Sequence, residues 1–182
     1  FTEPNREILA RRDSIINDLT RLVDPAGLIT STDECRAYAT DALTAYRKMP
    51  LAVVLPKTTE EVSAVLKYCH DTGVKVVPRG AGTSLAGGAI PSEDAVVLGL
   101  SKMNRVLAVN YDDRFIRVEA GVTNLSVTAV VAENGFCYAP DPSSQLACTI
   151  GGNIANNSGG AHCLKYGVTT NNLLGVRMVL ID

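Results

Sequence analysis

Eleven residues, Pro78-Arg79-Gly80-Ala81-Gly82-Thr83-Ser84-Leu85-Ala86-Gly87-Gly88, hold four glycines, two hydroxyls and one cation. Glycine loses more backbone freedom on folding than any other residue, so a chain concentrates it where the main chain must turn tightly or be touched closely. Successive N–H groups in such a loop can point into one concavity and form a nest for an anion. Thr83 and Ser84 add hydroxyl donors, and a phosphate or pyrophosphate is the natural guest. The alternative reading is a loop that only turns the chain. Two familiar phosphate loops do not fit. A G-x-G-x-x-G fingerprint would need glycine where Leu85 stands, and a P-loop would need a Gly-Lys-Ser/Thr step that this stretch lacks.

A second cluster begins at Pro140-Asp141-Pro142-Ser143-Ser144, a rigid turn-forming run. It continues through Thr149-Ile150-Gly151-Gly152-Asn153-Ile154-Ala155-Asn156-Asn157-Ser158-Gly159-Gly160 to Tyr166-Gly167 and Leu174-Gly175. This stretch is rich in Gly, Asn and Ser and nearly free of charge, so it is not expected to be regular helix or strand throughout. Its many backbone donors and amide side chains must all find partners. Two such clusters point to one ligand with phosphates at one end and an extended polar body. A dinucleotide fits that description.

The elements that must carry these clusters follow from periodicity. Residues 3–23 place Ile8, Ile15, Leu19 and Val23 on one helical face. A short helix is expected around 32–40. Leu51–Leu55 reads as a buried strand. Thr58 and Glu61 form a capping box ahead of Val62, Val65, Leu66 and Cys69 at helical spacing. Val74–Val77 is the next strand, so strand, helix and strand make a βαβ unit with parallel strands. The first glycine loop then follows the carboxyl end of a parallel strand, where ligands bind in open α/β sheets. Ala95–Leu100 is a third strand. Val106–Asn110 and Phe115–Ala120 make a hairpin, Asn124–Glu133 a helix, and Phe136–Ala139 a short extended piece. The last residues, from Gly175, read as a strand entering a turn. The second half is therefore expected to hold a mixed or antiparallel sheet beside a parallel lobe, an α+β arrangement.

Composition narrows the classes. Hydrophobic residues make up 46% of the 182, which suits a packed globular domain. The net charge is −2 and no basic stripe appears, which argues against a nucleic-acid partner. No apolar run approaches the ~20 residues needed to span a bilayer. Five cysteines without a C-x-x-C pair fit reduced thiols in a cytoplasmic protein rather than a disulfide framework. With only His70 and His162 besides, no metal site is expected. The chain begins at Phe1 rather than Met and ends at Asp182, which reads as a trimmed piece of a longer protein.

Taken together, the two clusters resemble the flavin loops of the FAD-linked oxidases of the vanillyl-alcohol oxidase type, whose FAD-binding domain is called PCMH-type. Within that group the chain is similar to the glycolate oxidase D-subunit and D-lactate dehydrogenase branch. The resemblance covers about residues 45–182. It implies a two-lobed FAD domain over 49–182 after an N-terminal helical segment over 1–48, with a small parallel βαβ lobe packed against the mixed or antiparallel lobe.

It also implies cofactor contacts from Pro78, Arg79, Gly80, Ala81, Gly82, Thr83, Ser84, Gly87 and Gly88 around the pyrophosphate. From the second cluster it implies Pro140, Asp141, Ser144, Thr149, Gly151, Gly152, Asn156, Ser158, Gly159, Tyr166 and Gly167 along pyrophosphate, ribityl chain and flavin ring. Arg79 either touches a phosphate or braces the loop through a carboxylate. Tyr166 either stacks on the cofactor or packs. No histidine lies between His70 and His162, so a covalent histidyl link is not expected, and Cys148 reads as a packed thiol; the FAD is expected to be non-covalent.

The implied chemistry of the whole protein is hydride transfer from the α-carbon of a 2-hydroxy acid to flavin N5, with electrons passed on to an acceptor or a sister subunit in a complex at the inner membrane's periphery. The substrate domain would follow Asp182, so no catalytic residue is assigned to this chain, and the piece alone is expected to bind FAD weakly or to arrive empty, and to turn nothing over. The alternative is a flavin-binding or electron-transfer subunit that oxidises no substrate. A FAD reductase of cell-wall precursor synthesis fits the Pro140–Ser144 and Cys148–Asn153 wording less well. A nucleotide-binding α/β domain with no redox role would bind no flavin.

Overall fold

The computed structural model describes residues 3–181 and divides into two units. The first holds 3–102 with 178–181, and the second holds Met103–Arg177.

In the first unit the expected N-terminal helix is two helices, α1 (Arg6–Ala10) and α2 (Arg12–Leu19). The break falls at Arg11, whose amide bonds back three residues to the Ile8 carbonyl and tightens the turn. The apolar face is as read: Ile8, Ile15, Leu19 and Val23 are buried. A two-residue strand, β1 (Leu28–Ile29), and a short helix, α3 (Thr32–Cys35), follow.

The core of this unit is β2 (Ala52–Val54), wholly buried. Helix α4 (Thr59–Thr72) is started by Thr58, whose hydroxyl accepts from the Glu61 amide, and ended by Gly73 at φ +72°. The capping box is modified. The Glu61 carboxylate accepts from the Lys57 amide, one residue before the cap, at 2.6 Å. Val62, Val65 and Cys69 are the buried stripe of α4.

Strands β3 (Lys75–Arg79) and β4 (Ala95–Gly99) complete a four-stranded sheet in the order β1-β2-β4-β3. β2, β4 and β3 are parallel, and β1 joins β2 antiparallel. β2 and β3 are parallel as expected, but β4 lies between them. Pro78 is accommodated because β3 is an edge strand.

In the second unit, β5 (Val106–Asn110) and β6 (Phe115–Val118) form the expected hairpin, with a register shift between Val106 and Ala108. β6 ends at Val118, earlier than read, although the Glu119 amide still donates to the Arg105 carbonyl at 2.9 Å and its carboxylate accepts from the Arg105 amide and guanidinium. Helix α5 (Asn124–Val131) passes into a 3₁₀ turn, Ala132–Asn134. Helix α6 (Ile150–Asn156) and α7 (Cys163–Tyr166) lie in the second glycine-rich stretch. Residues 136–139, read as a short extended piece, carry no regular structure. The strand expected from Gly175 is absent: 175–181, which run from this unit into the first, are irregular with no ladder partner among the described residues. The sheet of this unit is therefore a two-stranded antiparallel hairpin, and the mixed sheet belongs to the first unit.

Candidate functional site: two glycine-rich cradles

The first cradle leaves the carboxyl end of β3. The amides of Gly80, Ala81, Gly82, Thr83, Ser84 and Leu85 donate to no protein acceptor among the described residues. Gly82 stands at φ +71° and Gly87 at φ +78°, backbone that a side chain resists. Ser84 closes a local turn, its hydroxyl accepting from the Ala86 amide at 3.2 Å. Pro78, Ala81 and Gly88 are exposed, and Thr83 is half-buried.

Arg79 is buried beneath this loop at 8% exposure. Its Nη1 donates to the Thr40 carbonyl at 2.7 Å and to the Ala89 carbonyl at 3.3 Å, and its guanidinium lies 5.6 Å from the Tyr38 ring centre. The side chain braces the loop, through carbonyls rather than through a carboxylate. Burial pulls the guanidinium's pKa down, and Tyr38 and Asp41 act against that. A Cβ on Gly82 would lie 2.1 Å from Arg79 Nη2, so this glycine is required for space as well as for φ.

Residues 38–43 lie in the polar stretch 28–49, which carries no chemical signature in the sequence, yet they hold the loop. The Ala42 amide donates to the Ser84 carbonyl at 3.1 Å. The Asp41 carboxylate, 4% exposed, accepts from the Gly87 amide at 2.9 Å and the Leu43 amide at 3.0 Å. No local pattern in the sequence announces such contacts across more than forty residues.

The second cradle is built differently. The first three amides of α6 are already engaged: Ile150 donates to Val122, Gly151 to Ala120, and Gly152 to the Thr149 hydroxyl at 3.2 Å. Gly151 is a packing glycine, since a Cβ there would come within 2.8 Å of the Ala120 methyl. Gly159 and Gly160 are pressed against Cys163 Sγ and Asp141 in the same way, and Gly167 at φ +76° against Asn171.

A buried amide pair ties the cradle together. Asn124 Nδ2 donates to the Pro140 carbonyl at 3.0 Å and to Asn153 Oδ1 at 2.9 Å. Asn153 Nδ2 donates to Cys148 Sγ and to the Ser158 hydroxyl. Cys148 is thus a packed thiol at 4% exposure. The Ser158 carbonyl accepts from both the amide and the hydroxyl of Thr169, and the Ser144 carbonyl from Ala147 and Cys148.

The Asp141 carboxylate meets His162 Nδ1 at 2.6 Å and the His162 amide at 3.3 Å. Burial acts to raise this carboxyl, and the His162 contacts outweigh it and hold it below its usual value. Asn156 folds back on Gly152 at 3.0 Å, and the Tyr166 ring is exposed, 6.4 Å from the His162 ring. Neither Asn124 nor Asn153 was expected as a site residue, because a buried asparagine gives no periodic signal. Among the described residues no group of three or more His, Cys, Asp or Glu is placed to hold a metal, and no helix is long and apolar enough to cross a membrane.

The donor chemistry fits a diphosphate-bearing cofactor. Six amides without a protein acceptor, beside two hydroxyls, suit an anion, and the second stretch, rich in Asn, Ser and Gly, suits a polar body. The FAD binding domain family matches residues 50–182. The chain is 47% identical over 171 residues to the glycolate oxidase subunit GlcD of Escherichia coli K12, covering 94% of this chain and 34% of that protein. It is 38% identical over 170 residues to the D-lactate dehydrogenase of Archaeoglobus fulgidus, covering 93% and 37%. It thus spans about a third of the length of these relatives.

Among solved structures, an alkyldihydroxyacetonephosphate synthase superposes with a TM-score of 0.75 at 22% identity over 86% of this chain and 31% of that one. A p-cresol methylhydroxylase with substrate bound superposes with a TM-score of 0.72 at 19% identity over 85% and 30%. These two likenesses speak for the fold, which is the α+β, PCMH-type arrangement expected. The chain belongs to the FAD binding domain family, with FAD as its cofactor and the glycolate oxidase D-subunit and D-lactate dehydrogenase branch among its relatives.

Proposed function

We propose that the chain is the FAD-binding part of a flavin-dependent 2-hydroxy-acid dehydrogenase or oxidase of the glycolate or D-lactate type. The observation that carries this is the run of six free amides at 80–85, beside the Thr83 and Ser84 hydroxyls. These groups, with Gly87 turning the loop and Gly88 beside it, would hold the diphosphate. Fixed dipoles of this kind stabilise an anion with little reorganisation.

Arg79 serves from below, as a brace and a buried positive charge. In the second cradle, Asn156, Ser158, Gly159 and Tyr166 offer the side-chain and main-chain groups that would line the ribityl chain and ring. Pro140, Asp141, Ser144, Thr149, Gly151, Gly152 and Gly167 hold that cradle in shape. When bound, FAD supplies the two-electron acceptor for hydride removal from the α-carbon of a 2-hydroxy acid. The chain's own residues bind and orient it, without a covalent link to Cys148, whose thiol is packed.

Substrate, electron acceptor and a sister subunit would be met by the longer protein, in keeping with a relative named as a subunit of glycolate oxidase. The cysteine usage favours a cytoplasmic setting, and a complex with sister subunits would sit at the periphery of the inner membrane.

Titration of the chain with FAD, followed by flavin fluorescence, is expected to give saturable quenching that ADP competes away. Absence of saturable binding would overturn the cofactor part of the reading. Failure of the full-length protein to reduce a dye with glycolate or D-lactate would overturn the substrate part.

A further inference from the structure

From the contacts between residues 38–43 and the first glycine loop, we infer that Asp41 is a positioning residue for the diphosphate, acting through the Gly87 amide. The inference rests on the FAD reading of the first cradle. It concerns a residue outside the 50–182 stretch that the family matches.

The loop from Gly80 to Gly88 is fixed at both ends and free in the middle. At its start, Arg79 is tied to the Thr40 carbonyl at 2.7 Å. In its second half, the Ser84 carbonyl takes the Ala42 amide and the Gly87 amide reaches Asp41 Oδ2 at 2.9 Å. The amides of 80–85 lie between these ties. Asp41 spends its other oxygen on the Leu43 amide at 3.0 Å, an i to i+2 bond that sets its own turn. Both oxygens are therefore acceptors for main-chain donors, in a carboxylate only 4% exposed.

A charged acceptor holds an amide roughly twice as strongly as a neutral one. Gly87 at φ +78° is the point where the loop turns back, and Asp41 fixes that turn. An asparagine of the same size cannot replace it. It offers one oxygen for two donors, and its NH₂ would face the N–H of Gly87 or of Leu43.

Amide hydrogen exchange on the unliganded chain tests the brace alone. The Gly87 amide is expected to be protected while those of Ala81 to Leu85 exchange freely, and Asp41→Asn is expected to release Gly87 without changing protection in α4. FAD titration tests the consequence. Asp41→Asn is expected to weaken FAD at least ~10-fold, the lower end for loss of a hydrogen bond to a charged group, with the apo chain still unfolding cooperatively and its melting temperature lowered by only several degrees. Gly87 exchanging as fast as Ala81 in the parent overturns the inference, and so does an Asn variant that binds FAD within about twofold of the parent. A parent that binds no FAD, with Gly87 released in the variant, refutes the cofactor reading and upholds the brace.

Discussion

Three glycines of the first unit separate backbone conformation from space, and alanine at each gives a graded prediction. Gly88 has no φ in the left-handed region and nothing within 4 Å of a built Cβ. Gly73 has φ +72° and again open space. Gly82 has φ +71° and a built Cβ 2.1 Å from Arg79 Nη2. A guanidinium is the far end of a flexible side chain and would ordinarily step aside at little cost. Here it is 8% exposed and bonded to two carbonyls, so moving it forfeits charge-assisted bonds inside the protein.

Gly88→Ala is expected to change stability by no more than ~0.5 kcal/mol, the range for an unconstrained surface site. Gly73→Ala should cost ~1–2 kcal/mol for the left-handed backbone alone. Gly82→Ala adds ~1.5–3 kcal/mol for the displaced guanidinium, giving roughly 2.5–5 kcal/mol. Urea denaturation reads these as shifts in midpoint at constant slope. If Gly82→Ala costs no more than Gly73→Ala, Arg79 is not pinned beneath the loop, and the account of the first cradle is wrong.

Asn153→Leu should cost about 2–3 kcal/mol in the same assay, because it removes the acceptor from Asn124 and the donor from Ser158 in a buried site. Two carboxyls give the pH dependence. The Arg105 side chain outweighs burial and holds Glu119 below its usual value; burial would raise Asp94, but Lys75, Ser92 and the Asn5 amide together hold it down. For such depressed groups the unfolded chain binds protons first, so their stabilisation is complete above pH ~5 and is lost as the pH falls further. Melting temperatures of Glu119→Gln and Asp94→Asn should accordingly fall less steeply than the parent's below that pH. Alkylation at pH 8 followed by mass spectrometry should label Cys137 first, with Cys69 spared until unfolding, since its thiol is buried and pushed up to about 11.

The central strands and α4 were legible because their signals are local: runs of Val, a threonine cap, a glycine stop. The first glycine loop stood out for a different reason: four glycines after a strand mark main chain that must turn tightly or be touched closely, and amides at 80–85 without a protein acceptor are in keeping with the second use. What escaped was everything fixed by distant partners. Asp41 and Thr40 sit in an irregular polar stretch, and only folding shows that their oxygens meet Gly87 and Arg79. The extent of α6 was hidden by Gly151 and Gly152, poor helix formers whose place is set by close packing on Ala120 and a threonine cap. The strand expected after Gly175 has the right composition but no neighbour to pair with among the described residues.

The inward engagement of the α6 amides has a consequence for competition by small ions. A helix start whose donors are already taken by Val122, Ala120 and Thr149 offers a dissolved oxyanion no free N–H there and attracts it only through the helix dipole. Inorganic phosphate or sulfate at high concentration should therefore perturb residues 80–85 and leave 150–152 untouched. One glycine-rich stretch would sense the ionic composition of the medium, and the other would be blind to it.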